Sequence, residues 1–170
     1  MPALTEGALT FEFPEGRAVS RLDEWSFYRK QFIQVCGGAK SVDIVAAEPH
    51  ARCLWLIEVK DYRRRGRNKV VPLADEVARK VRDSLAALAA ARVNANDAHE
   101  KALADAALRT EELRIVLHLE QTARPSKLFP AVVDAADVLQ RLKQITKAID
   151  PHPVICRKDD LRRVPWSVAG

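Results

Sequence analysis

Apolar and polar residues alternate over residues 9 to 13 (LTFEF), and the run stops at Pro14 and Gly16, which reads as a short strand. From Ser20 the spacing lengthens. Leu22, Trp25, Arg29 and Phe32 fall near one helical face, Ser20 can serve as N-cap, and Asp23 and Glu24 occupy the first turn, so a helix is expected until Gly37-Gly38. Trp25, Phe27 and Tyr28 near its start are better suited to closing a core than to forming a stacking platform. Two strand-like runs follow, VDIVAA (42–47) and CLWLIEVK (53–60), around the turn residues EPHAR.

Pro72 then marks a helix start, and Leu73, Val77, Val81, Leu85 and Leu88 repeat at helical spacing. After the VNAN interruption an alanine-rich helix is expected from about Asp97 to Leu108, antiparallel to the first. LRIVLHLE (113–120) reads as a mostly apolar strand reached by a helical crossover. DAADVLQRLKQITKAI (134–149) reads as an amphipathic helix, and HPVIC (152–156) as one more strand. The expectation is an α/β domain with a mixed central sheet, a helical hairpin over about 73–109 and a C-terminal helix. It is one domain, 1–170, with its core over about 20–120 and an extension over 121–170.

Composition narrows the function classes modestly. Lys and Arg total 28 against 23 Asp and Glu, a formal charge of +5, which suits a polyanionic partner without requiring one. Three cysteines without CxxC spacing argue against a disulfide framework or a zinc knuckle and for a reducing compartment. The start lacks the pattern of a secretory signal, and no run approaches the ~20 apolar residues that span a bilayer. A cytoplasmic protein without membrane association is expected. The four histidines are scattered, no GxSxG is present, and Gly37-Gly38 lacks the lysine and helix of a phosphate loop. His118, set among apolar strand residues, is expected to be structural.

The unusual feature is charge inside the most strand-like segment. Side chains alternate on a strand, so Leu54, Leu56, Glu58 and Lys60 share one face. If the hairpin turns between His50 and Ala51, Asp43 stands opposite Glu58. Carboxylates so placed repel unless a cation or proton intervenes, and an oxygen-only donor pair suits Mg²⁺ or Mn²⁺. Lys60 on the same face could contact a phosphate or the attacking water. The plainer alternative is an edge-strand salt bridge between Glu58 and Lys60.

Val42-Asp43 before IVAA, and Glu58-Val59-Lys60 closing LWLIEVK, resemble the two motifs of the PD-(D/E)XK nuclease superfamily. The resemblance implies a restriction-endonuclease-like αβββαβ core and a metal-dependent nuclease that hydrolyses DNA. It further implies Asp43 and Glu58 as metal carboxylates, the Val59 carbonyl as a further ligand, Lys60 as the residue positioning the water, and Glu24 as the candidate additional acid. Valine stands where the family has proline, and the two-helix crossover is longer than a minimal one, which leaves room for a specific contact or a homodimer interface. Arg63, Arg64, Arg65, Arg67 and Lys69 in YRRRGRNK are the expected phosphate-backbone contacts. The rival reading is a non-catalytic nucleic-acid- or protein-binding module on a degenerate nuclease fold.

Overall fold

The computed structural model describes residues 1–170 apart from Pro49, Ala51, Arg65, Ala123, Arg124, Lys127, Phe129 and Pro130. Its elements are β1 (Ala3–Glu6), β2 (Leu9–Glu12), β3 (Ala18–Ser20), α1 (Ser26–Lys30), β4 (Ile44–Glu48), β5 (Cys53–Asp61), α2 (Leu73–Asn94), α3 (Ala98–Leu108), β6 (Glu112–Glu120), α4 (Ala135–Ile145), β7 (Val154–Cys156) and β8 (Ser167–Ala169). Five strands form the central sheet in the order β3-β4-β5-β6-β7, antiparallel from β3 to β5 and parallel from β5 to β7. The fold is therefore mixed α/β with a mixed-orientation central sheet. The parallel β5–β6 pair needs a long crossover, and α2 and α3 supply it.

Strand alternation sorts the core into two layers. Val45, Ala47, Leu54, Leu56, Ile115 and Leu117 turn toward the helices, where Val77, Val81, Leu88 and Leu142 meet them. Ile44, Ala46, Ile57, Val59 and Val116 turn the other way, onto Leu9, Phe11, Phe13 and Trp166. That second layer belongs to a small antiparallel sheet, β1-β2-β8, which the sequence revealed only at β2. The last fifty residues thus help build both sheets, through β7 and β8.

The helix expected from Ser20 is not continuous. Residues 18–20 pair with β4 as strand β3, and the following stretch is a 3₁₀ turn (Leu22–Glu24), the five-residue α1 and a second 3₁₀ segment (Phe32–Gly37). Ser20 caps nothing; its hydroxyl accepts from Trp25 Nε1 at 2.7 Å. Trp25 itself is extended (φ −62°, ψ 136°), which breaks the run. These turns follow the first strand of the sheet, whereas the expected core has its helix before all three strands. Trp25, Phe27 and Tyr28 are buried core residues as expected.

α2 fixes the position of β4. Buried Ser84 sits on the inward stripe of the helix, and its hydroxyl accepts the Val42 N–H at 2.9 Å, one residue before Asp43. Ser84→Ala leaves that buried donor unpaired, so a loss of about 1–2 kcal/mol in unfolding free energy is expected by urea titration. A loss near zero would show that Val42 needs no acceptor there.

Candidate functional site

The β4–β5 register runs Ile44↔Ile57, and one further step sets Asp43 opposite Glu58. Both lie on the helix-facing side of the sheet, under α2. Glu58 is fully buried, so its salt bridge to Lys60 is present as the plainer alternative expected but lies in a central strand and not at an edge. Its Oε1 accepts from Lys60 Nζ at 2.5 Å and from Lys80 Nζ at 2.7 Å. Lys80 Nζ also lies 3.4 Å from Asp43 Oδ1, so one ammonium bridges the facing carboxylates. Asp43 Oδ2 accepts the Val59 N–H at 2.7 Å. What joins Val59 to the acids is thus its amide N–H.

A third carboxylate extends the cluster outward. Glu76 Oε1 lies 3.3 Å from Lys60 Nζ and 2.7 Å from Lys69 Nζ, while its Oε2 takes Arg67 at 2.9 Å. Glu76 and Lys80 are i, i+4 on α2 and both reach down beside its apolar stripe. Three acids and four cations are thereby interlocked.

Electrostatics follow from this packing. Burial pushes Glu58 up to about 7, with Asp43 adding to the rise and the two lysines opposing it. Burial alone would raise Glu76 too, but hydrogen bonds from Lys69 and Arg67 and the Lys60 charge win and hold it at about 2. For Lys60 and Lys80 burial favours the neutral amine, yet the surrounding carboxylates outweigh it and raise both. Both lysines are therefore ammonium ions at neutral pH. They can donate hydrogen bonds but not accept a proton.

Glu58 Oε2 is buried with no hydrogen-bond partner among the described residues, an orphaned oxygen that could accept from a ligand. A divalent ion fits less well. The position between the carboxylates holds the Lys80 ammonium, and among the described residues no group of three or more His, Cys, Asp and Glu is placed to hold a metal.

The other expected residues fall elsewhere. Glu24 is solvent-exposed on its 3₁₀ turn and pairs with Arg21 at 3.2 Å, outside the cluster. Besides Glu58, the acids raised by the Asp43 charge are Glu6 and Asp23; in both, burial is the largest cause of the rise and Arg21 opposes it. Arg63 is spent on Asp61 (2.7 and 2.9 Å), and Arg67 on Glu76, the Tyr62 hydroxyl and the Val71 carbonyl. Neither is a free phosphate ligand. Arg64 is exposed without an ion pair among the described residues, and Arg65 lies outside them. Lys80 and Glu76 were missed by the motif; their i, i+4 spacing against Leu73, Val77 and Val81 was the available signal.

His118 is structural, as its strand position suggested. It is fully buried, its Nε2 lies 2.9 Å from Glu120 Oε1, and Phe11 packs edge-on against its ring.

No family model and no solved structure matches the chain. A curated relative, a cysteine–tRNA ligase of Neisseria meningitidis serogroup A, is 34% identical over 210 residues. The match takes in 99% of this chain and 30% of that protein, so the chain spans under a third of its relative's length. The aligned region is longer than the chain itself, so the relative carries inserted residues within it. This likeness overturns the expectation of a magnesium-dependent deoxyribonuclease, along with its hydrolase and DNA-binding character: the related protein is named as a ligase of tRNA. The physical premise of the acid-pair reading is met without a metal. Facing carboxylates do demand a cation, but α2 brings one as Lys80. No helix among the described residues is long and apolar enough to cross a membrane.

Proposed function

We propose that this chain is a tRNA-binding module related to tRNA ligases, contributing RNA contact rather than the ligation reaction. The observation that carries the reading is the match of nearly the whole chain within a cysteine–tRNA ligase. Because that match covers 30% of the ligase, the part carried over is association with tRNA. The formal charge of +5 supports it, since backbone phosphates dominate nucleic-acid affinity. As scaffold we propose the restriction-endonuclease-like fold, supported by the antiparallel β4–β5 hairpin, the parallel β5–β6 crossover and Asp43 opposite Glu58. Fold does not fix function, and here the carboxylate pair serves as a buried, lysine-compensated brace between the sheet and α2.

The test is fluorescence anisotropy with labelled unfractionated tRNA and, in parallel, a duplex DNA of similar length at equal salt. Tighter binding to tRNA, by at least about tenfold or roughly 1.4 kcal/mol, is expected. Equal affinity for the duplex, or no tRNA binding at ~50 mM salt, would overturn the reading.

A further inference from the structure

The basic loop that the sequence offers for phosphate contact is largely consumed by internal pairs, so the free positive charge must be sought elsewhere. It lies across α2. A cleft of about 360 Å³ runs between residues 38–40 and the N-terminal half of α2, with Lys40, Lys69, Arg79 and Arg82 set against Glu76 and Asp83 on its walls.

Both acids of the cleft are already engaged. Glu76 is held by Lys60, Arg67 and Lys69. Asp83 accepts from the Arg82 guanidinium at 2.9 Å and from the Lys40 backbone N–H at 3.1 Å. Lys40 and Arg79 make no ion pair among the described residues. Of the four cations on the walls, Lys69 and Arg82 pair with the two acids, so the unpaired positive surplus is Lys40 and Arg79.

The walls are also pre-formed. The Lys40 N–H bond to Asp83, the Val42 N–H bond to Ser84 and the Tyr28 hydroxyl on the Ala39 carbonyl at 3.0 Å tie the 38–42 segment to α2 and α1. Arg79 and Arg82 are i, i+3 on α2 and project along one side. A rigid wall carrying guanidinium forks suits phosphate oxygens, which accept two parallel N–H bonds. The volume is that of a small-ligand pocket, enough for one nucleotide unit and too small for a helical groove.

From this arrangement we infer that the cleft is the phosphate track of the RNA interface: it takes one nucleotide unit of an RNA strand crossing α2, whose flanking phosphates meet the unpaired Lys40 and Arg79, while the already paired Lys69 and Arg82 add to the positive field. This rests on the tRNA reading above and says where on the chain it acts. The buried cluster beneath has a part in it. Lys60 and Arg67, with Lys69, neutralise Glu76, which would otherwise repel a phosphate entering the cleft.

The experiment compares Lys40→Ala/Arg79→Ala with Lys143→Ala/Lys147→Ala, a double variant of equal charge change on α4 and the turn after it. Labelled unfractionated tRNA is titrated from about 50 to 200 mM KCl, and circular dichroism checks the fold of each variant. The cleft variant is expected to weaken binding at least about tenfold at ~100 mM. Its log Kd against log salt slope should fall by roughly 1.4 to 1.8, at ~0.7–0.9 for each of two phosphates no longer neutralised. Arg63→Ala, whose guanidinium already serves Asp61, should change Kd less than about twofold. If the wild type binds tRNA and the cleft variant behaves like the α4 variant, the track is wrong while the tRNA reading survives. If the wild type does not bind tRNA, both fall.

Discussion

Lys80→Ala is expected to cost about 3–5 kcal/mol of folding stability at pH 8, the usual consequence of stranding buried charges by removing one partner. The ammonium bridges Asp43 and Glu58, and without it two facing carboxylates remain under α2 with only Lys60 to offset them. The cost should depend on pH in a definite direction. Glu58 already titrates at about 7, and losing a neighbouring cation raises it further. At pH 5.5 the carboxyl is then protonated, the repulsion is relieved, and the penalty should shrink to about half. The small side chain also opens the space between two oxygen donors. Millimolar Mg²⁺ or Mn²⁺ is expected to raise the Tm of this variant and to leave the wild type unshifted, because in the wild type the ammonium holds that place. Urea titrations at the two pH values and a melting series with added metal check this. A loss below about 1 kcal/mol at pH 8 would mean that the bridge is dispensable.

The same lysine shows where the sequence stops being legible. The turn EPHAR centred the hairpin, and the expected register, Asp43 opposite Glu58, is the one continued from Ile44↔Ile57. The α2 and α3 spans and the crossover to β6 were legible because long periodic segments state their buried face directly. Strand β3 was not legible. Three residues, Ala18–Ser20, carry no periodic signal, and their pairing with β4 comes from the tertiary fold. Nor was the fate of the arginines. A basic run looks free in one dimension, yet Asp61 and Glu76 lie just outside it and take Arg63 and Arg67. The deduction that the acid pair needs a cation was sound chemistry; its source was a side chain on a helix some twenty residues further on. Nothing in the residues themselves points to tRNA over DNA, since phosphate-binding charge is common to both.

Glu58 also sets an unusual slope in stability against pH. Its pKa rises from 4.5 to about 7 on folding, so the folded chain binds this proton more tightly than the unfolded one. Its contribution is fully present below pH 4.5 and is lost as pH climbs through 7, a difference of about 3 kcal/mol at 1.36 kcal/mol per unit. Glu76 runs the opposite way: held at about 2 against 4.5, it contributes above pH 4.5 and fails as pH falls toward 2. The two windows meet near pH 4.5 to 5, where stability should peak, lower than for a chain whose buried acids all have depressed pKa values. Glu58→Gln removes the proton exchange without removing the side chain's bulk. The variant should therefore lose the fall that Glu58 imposes between pH 5 and 7.5, leaving the rise contributed by His118, whose burial holds it below its ordinary value, while its acid limb below pH 4.5 stays unchanged. The slope is the readout, and it is insensitive to how well the amide packs against Lys60 and Lys80. Urea midpoints at half-unit steps from pH 3 to 8 measure it. A Glu58→Gln curve that runs parallel to the wild type from pH 5 to 7.5 would place Glu58 among ordinary paired carboxylates, with the two lysines outweighing burial and Asp43.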